Sequence, residues 1–486
     1  MAKKEADKGA KGISVGKNAN FSEWYTEIVQ KCELADLRYN VKGFLVFQPW
    51  SVLSMEKMYA AMEKNLQGKG HKPYWFPTVI PENNLKKEKV HIEGFNPQVF
   101  WITEAGNEKL EERLLLRPTS ETAFYQMFGI WIRSYKDLPF KTYQRANVFR
   151  YETKATRPFL RSREFHWIEA HCAHASEEDA MKQVKEDMET TDEVLHGIFG
   201  LPFIFFERPA WDRFPGAHRT FAADVLNPDG KVVQQPSTHL LKQDFSKAFD
   251  VKFKDKNGKD NYAWITCYGP AISRIFASVV IVHGDDKGLR FPWAIAPLHV
   301  AIVPVIDDAK VLKKADELKK EIEKIASVEI DLSEKSAGEK FNFWEMKGVP
   351  IRIDVGLNDL AEKKLTVFRR DLDKKEIIAE KDLIKYIERV ALESGKNLTN
   401  QADKLFEGRI KDVKNKDEMK KAIEEGLIAR CNFCSVEMDG AKCAEVVEKE
   451  VGASVRGTKL EKEKPSGNCV ICGRPAKHVV YVARQY

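Results

Sequence analysis

Phe149-Arg150-Tyr151-Glu152, a polar loop from Thr153 to Pro158, and then Phe159-Leu160-Arg161-Ser162-Arg163-Glu164-Phe165 make up the stretch whose reading decides the fold. It joins two apolar, β-prone runs, Lys141 to Tyr151 and Phe165 to Ala173. Strands that follow one another with no helix between them pair antiparallel. On extended backbone alternate residues face one side, so Arg150 and Glu152 point together, and Arg161 and Arg163 do likewise on the return. Three arginines and a carboxylate on one sheet face are costly unless they bind something anionic. The competing reading is a ladder of weak surface ion pairs.

Working outward, Met181, Val184, Met188, Leu195 and Ile198 recur at helical spacing, which predicts a helix over 176–199 with one buried face. Tyr262 to Tyr268 reads as a further strand. A first domain over 20–296 is therefore an antiparallel sheet flanked by helices. From Pro297 the pattern changes. The strand Val300 to Ile306 leads into a helix with Val311, Ala315, Leu318, Ile322 and Ile325 on one face, followed by strand, helix and strand as far as Val355. That alternation predicts an α/β unit over 297–395. Lys/Glu-rich helices and a cysteine cluster fill a small α+β unit, 396–486, and the class overall is α+β.

A chain of 486 residues exceeds what a single core supports. Apolar runs such as Phe276 to Val282 are too short to span a bilayer, and residues 1–19 read as a mobile basic tail without the apolar core of a signal peptide. These features point to a cytoplasmic protein with no membrane partner. The net charge of +6, from 79 basic and 73 acidic residues, permits a nucleic-acid partner without implying one. Five of the eight cysteines (Cys431, Cys434, Cys443, Cys469 and Cys472) lie near the C-terminus. Cys431-x2-Cys434 and Cys469-x2-Cys472 have four-thiolate zinc spacing, with Cys443 a fifth claimant.

No glycine-rich phosphate loop is present. Leu116-Arg117-Pro118-Thr119-Ser120-Glu121 ends a strand and opens a helix, where Thr, Ser and Glu suit capping as well as ligand binding. Ile265-Thr266-Cys267-Tyr268-Gly269-Pro270-Ala271-Ile272-Ser273-Arg274 runs from a strand into an apolar helix that leaves through His283-Gly284-Asp285. Arg274 falls in that helix's first turn, where the macrodipole disfavours a cation, so an anionic ligand is expected beside it.

The ordered set Trp75-Phe76-Pro77, Arg117-Pro118-Thr119-Ser120-Glu121, Arg150-Tyr151-Glu152, Arg161-Ser162-Arg163-Glu164-Phe165, Ser237-Thr238-His239-Leu240, Arg274 with His283-Gly284-Asp285, and Lys340 to Arg352 resembles class II aminoacyl-tRNA synthetases. Within them it is similar to the prolyl-tRNA synthetases of archaeal and eukaryotic type, over nearly all of Phe21 to Tyr486. The resemblance implies a two-step reaction: L-proline and ATP give prolyl-adenylate, and the prolyl group then passes to tRNA(Pro). It implies Arg150 and Arg274 as catalytic groups, and an ATP site of Arg150, Glu152, Arg161, Ser162, Gln234, Ser237 and Arg274. The implied proline site comprises Thr119, Glu121, Arg150, Phe165, Trp167, Glu169, His171, Phe214, His239 and Ser273, although His239 also reads as a helix-start residue. Mg2+ is implied, with Asp224 its candidate contact as a hard oxygen ligand.

In the 297–395 unit, the likeness to anticodon-binding domains implies Glu345, Lys347 and Arg352 as readers, with Trp344 read as core. Structural Zn2+ is assigned by resemblance to Cys434, Cys443, Cys469 and Cys472, leaving Cys431 as the alternative ligand. A terminal tyrosine, Tyr486, is expected to fold toward the active site, and Gln48 to Pro81 to form a homodimer interface. Two departures from the family pattern stand out: Gln234-Gln235-Pro236-Ser237 replaces a glycine-containing run, and Arg274 follows Gly269 at one residue more than usual. No segment between His174 and Tyr262 has room for an editing domain. Three rival readings are an inactive paralogue, a zinc-bearing nucleic-acid-binding module, and a threonine enzyme. The last would need a pocket metal, for which no Cys/His set is visible in the first domain.

Overall fold

The structure, a computed structural model, describes residues 12–87, 98–153 and 155–486. At its centre the strands Phe140–Phe149 and Glu164–His174 pair antiparallel in register from Phe140 opposite Ala173 to Phe149 opposite Glu164. Outward from Glu164–His174 the sheet adds, in order, Trp264–Gly269, Lys231–Lys242, Arg219–Leu226 and Ile204–Glu207. Each of these neighbours is antiparallel, as expected when strands follow one another through short connections.

Two helices cover this sheet. Ser176 caps Glu177–Thr191, its hydroxyl accepting the Asp179 N–H at 3.2 Å, and the helix buries Ala180 and Val184. The helix Ile272–His283 is apolar all round because it is enclosed: Ile272, Ile275, Phe276 and Val279 are fully buried.

The second unit is a five-stranded sheet, ordered Val328–Ile330, Val300–Pro304, Ile351–Val355, Lys364–Arg369 and Lys374–Ala379. The first three strands are parallel and the rest antiparallel. Asp308 caps the helix Ala309–Ile322, which buries Val311, Ala315, Leu318 and Ile322. Ile325, expected on that face, lies beyond the helix end and is exposed. The helix Ala337–Lys347 begins with a Ser336/Glu339 capping box and stops at Gly348, whose φ of +74° suits glycine.

Two sequence expectations about organisation need correction. The boundary at 395/396 falls inside one helix, Leu383–Phe406, whose buried residues run from Leu383 to Ala402. The C-terminal unit is joined to the first by sheet pairing, its strand Ser454–Lys459 lying antiparallel to Ile204–Glu207. The central and C-terminal strands therefore form one continuous sheet of 11 strands. Finally, of the expected mobile tail, residues 1–11 lie outside those described, but 12–19 are docked. Lys17 donates its backbone N–H to Asp286 at 2.7 Å and its ammonium to the Gly284 carbonyl at 2.7 Å. Burial pulls the Lys17 pKa down to about 8. Among the described residues no helix is long and apolar enough to cross a membrane.

Candidate active site

A cavity of about 290 Å³ opens over the central sheet. The period of two along Glu164–His174 places Phe165, Trp167, Glu169 and His171 on its wall together. Glu121 enters as the first residue of the helix Glu121–Trp131, and Arg150 just past the end of its strand. Gln234, Ser237 and His239 come from Lys231–Lys242, Phe214 from a loop, and Arg274 from the first turn of its helix.

Two carboxyls, Glu121 and Glu169, line the cavity. Thr119 Oγ lies 2.5 Å from Glu121 Oε2 and 3.0 Å from Glu169 Oε1. Burial raises both carboxyl pKa values, and for Glu169 the neighbouring Glu121 adds to the effect. The Ser120 backbone N–H and Gln144 Nε2 also donate to Glu169, at 3.0 and 2.9 Å. His171 Nδ1 is 2.8 Å from the Tyr125 hydroxyl.

Aromatic rings form much of the wall. Phe165 and Trp167 lie 5.6 Å apart, and Phe214 lies 4.8 Å from His239. His239 is a mid-strand residue rather than a helix start, bracketed at 3.0 Å by the Thr220 and Ser237 hydroxyls. Burial pulls its pKa down to about 3, so it is neutral. The Trp167 indole N–H is buried without a hydrogen-bond acceptor among the described residues.

Two arginines, Arg150 and Arg274, also line the cavity. Arg150 lies 5.3 Å over both Phe165 and Trp167, and its Nε donates to the Pro118 carbonyl at 3.0 Å. Arg274 donates to the Leu160 carbonyl at 3.2 Å; burial first, and then Arg150 and Arg161, pull its pKa down to about 10. Two half-buried guanidiniums lining one cavity fit an anionic ligand.

The remaining predicted residues stand outside this lining. Thr119 and Ser273 lie behind it, the Ser273 hydroxyl accepting the His166 N–H at 3.3 Å. The strands end at Phe149 and resume at Glu164, so alternation does not carry through the loop. Arg163 consequently turns away to stack on Tyr151 at 4.1 Å, and Ser162 donates to the Glu164 carbonyl at 2.7 Å. Arg161 reaches the Tyr486 carbonyl oxygen and lies 3.7 Å from Glu152. The expected return of the terminal tyrosine thus meets this loop.

Asp224 cannot serve magnesium as expected. It is fully buried between Arg208 and Arg456, with contacts of 2.6 and 2.8 Å, and these arginines hold its pKa near 2 against the upward effect of burial. The proposed anticodon readers are also occupied. Arg352 is buried against Glu345 at 2.6 Å and Asp354 at 2.7 Å, and Lys347 is buried against Glu33 at 2.5 Å, so neither charge faces solvent. Trp344 is core, its indole N–H donating to Asp331 at 2.9 Å.

The cysteines divide cleanly. The sulfurs of Cys434, Cys443, Cys469 and Cys472 lie within 4.8 Å of one another, and those of Cys434 and Cys443 are 3.7 Å apart. Tetrahedral ligation at about 2.3 Å per bond requires nearly that spacing. Arg474 donates to the Cys434 and Cys472 sulfurs at 3.3 Å each, supplying charge that suits a thiolate set. Cys431 packs in the adjacent apolar core, where burial pushes its thiol up to about 12. The four-cysteine set fits a structural zinc, whose contribution would be to tie these loops together.

Sequence reasoning missed Cys267 and Gly269. A Cβ at Gly269 would meet the Trp167 ring at 2.5 Å, so glycine there shapes the wall. It also saw no metal-type set in the first domain, yet Glu121, His171 and Cys267 converge within 4.8 Å. Only the cross-strand register, which sets Cys267 opposite His171, could have signalled this.

Family comparisons agree with this geometry. Residues 100–283 match the tRNA synthetase class II core domain (G, H, P, S and T), 299–390 the anticodon binding domain, and 416–486 the prolyl-tRNA synthetase C-terminal domain. A proline–tRNA ligase of Thermofilum pendens is 47% identical over 98% of this chain and 99% of its own. The chain belongs to the prolyl-tRNA synthetases. It is accordingly an enzyme, a class II proline–tRNA ligase, which excludes the inactive, threonine and isolated zinc-module readings. The Methanopyrus kandleri proline–tRNA ligase is 39% identical over 97% of each chain. Among solved prolyl-tRNA synthetases, that of Giardia lamblia in complex with prolyl-adenylate superposes with a TM-score of 0.94 at 36% identity, covering 98% of this chain and 100% of its own.

Proposed function

We propose that the cavity binds proline and ATP end to end and joins them as prolyl-adenylate, the ligand of the Giardia lamblia relative. The observation that carries this reading is the make-up of the cavity: the Glu121 and Glu169 carboxyls, the Phe165, Trp167 and Phe214 rings and the half-buried Arg150 and Arg274 guanidiniums line one space. Proline's cationic imino group is placed at Glu121, Glu169 and His171, with its ring between Phe165, Trp167, Phe214 and His239. Its carboxylate and the α-phosphate then meet at Arg150, and Arg274 takes the distal phosphates near Gln234 and Ser237. Glu152 and Arg161, 3.7 Å apart, with Arg161 also bonded to Tyr486, set the wall behind the nucleotide. The carboxylate is already ionised, so activation needs no general base; catalysis is alignment for in-line attack and neutralisation of phosphate charge.

Mg2+ would travel with the ATP phosphates. Asp224, held between Arg208 and Arg456, does not fit it. Zinc at Cys434, Cys443, Cys469 and Cys472 is structural in this reading, and the enzyme works in the cytoplasm as a homodimer. The anticodon of tRNA(Pro) is read by groups other than Lys347 and Arg352, whose charges are already spent on Glu33, Glu345 and Asp354.

The reading also covers errors. A smaller amino acid such as alanine fits a proline pocket and forfeits only about 1–3 kcal/mol per missing methylene. The interval from His174 to Tyr262 is taken up by sheet strands and the helix Glu177–Thr191, consistent with the absence of a hydrolytic insertion there. One assay with two arms tests this. Incubated with ATP, labelled proline and tRNA(Pro), the enzyme should form prolyl-tRNA; given alanyl-tRNA(Pro), it should leave the ester intact. Failure to charge contradicts the ligase reading, and rapid enzyme-dependent release of alanine reveals an editing site.

A further inference from the structure

Glu121, His171 and Cys267 come from three separate elements, and all three are buried. One ligand atom from each lies within 4.8 Å of the others. Cys267 and His171 are directly opposed on neighbouring antiparallel strands, so their side chains share one sheet face, and Glu121 reaches that face from the start of its helix. The ring of His171 is fixed from behind: its Nδ1 meets the Tyr125 hydroxyl at 2.8 Å, and Phe124 packs on it at 4.2 Å. A hydroxyl held against one ring nitrogen is how ligating histidines are commonly oriented. An ion bound by all three would sit about 2.0–2.3 Å from each donor.

We propose that these three residues form a divalent-metal site for zinc-like ions in the floor of the amino-acid pocket, and that metal and amino acid exclude one another there. The mixed sulfur, nitrogen and oxygen donor set selects Zn2+ or Co2+ over Mg2+ or Ca2+, which prefer oxygen alone. As the metal–sulfur bond forms, Cys267 releases its thiol proton to solvent. The exclusion follows from Glu121, which the proposed function assigns to the imino group of proline, so this part of the inference rests on that reading. The consequence is an inhibitory site: free zinc blocks activation, and proline relieves the block.

The test uses the whole enzyme with its C-terminal metal as purified. Co2+ is titrated in, and thiolate-to-cobalt charge-transfer absorption is followed together with bound metal by equilibrium dialysis. About one further Co2+ per chain should bind with that absorption. The added equivalent should disappear in Cys267→Ala, weaken about 10–100-fold in Tyr125→Phe, and be displaced by excess proline. Glu121→Gln replaces Cys267→Ala if the latter fails to show wild-type thermal unfolding. No further equivalent, one that survives Cys267→Ala, or one indifferent to proline overturns the proposal. Calorimetric titration of proline without added metal separates the two readings. Absence of binding there counts against the proposed function, whereas proline binding with no cobalt equivalent counts against the metal site alone.

Discussion

Arg150 sits where a guanidinium loses most of its hydration, between two aromatic rings, with the Pro118 carbonyl as one partner. Burial drives its pKa down while Glu121 works in the other direction. Such a site is built for an anion that arrives with the substrate. Arg150→Ala removes preorganised charge without opening the apolar core, so adenylate formation should fall by about a hundredfold or more while thermal unfolding stays near wild type. Near-normal pyrophosphate exchange in this variant would remove Arg150 from the chemistry. Residue identity made Arg150 legible, because its motif and its place after a strand both point to a ligand. Asp224 shows the opposite case. A carboxylate on a strand looks like a magnesium ligand until the fold delivers Arg208 and Arg456, the second of them 232 residues away, to cancel it. Arg352 and Lys347 went astray for the same reason: their partners are invisible until the packing is known.

Strands and helices with strong periodicity were readable. Glu164–His174, Glu177–Thr191 and Ala309–Ile322 fall close to where alternation or a helical stripe puts them. Their ends were less so, since the loop from Arg150 to Arg163 leaves the sheet plane and takes Arg163 with it. The cysteine element divides between spacing and fold. Spacing alone favours Cys431, but on the strand Ile428–Phe433 that side chain points into the core, whereas Cys443 arrives from the helix Ala441–Val446 to complete the set. Metal analysis should therefore find about one zinc per chain, retained in Cys431→Ser and lost in Cys434→Ser or Cys469→Ser. Retention after Cys434→Ser, or loss with Cys431→Ser, would reverse this ligand assignment.

At the scale of the molecule, the sheet that carries the active site runs on into the C-terminal unit through Ser454–Lys459, and the last residue reaches Arg161. No local pattern predicts a strand pairing across some 250 residues of sequence, which is why the third unit read as separate. The segment assigned to the dimer interface leaves apolar surface uncovered in a single chain: Trp75 is 90% exposed, and Val46, Leu53 and Val79 are exposed nearby. Surface of this kind suits a second copy. Sedimentation at micromolar concentration should give a dimer, and a monomer would take that interface away. The central claim, that this cavity activates proline, is tested most directly by ATP–pyrophosphate exchange measured with each of the standard amino acids in turn. Proline should support rapid exchange, alanine weak exchange and threonine none; exchange driven best by any amino acid other than proline would contradict the account.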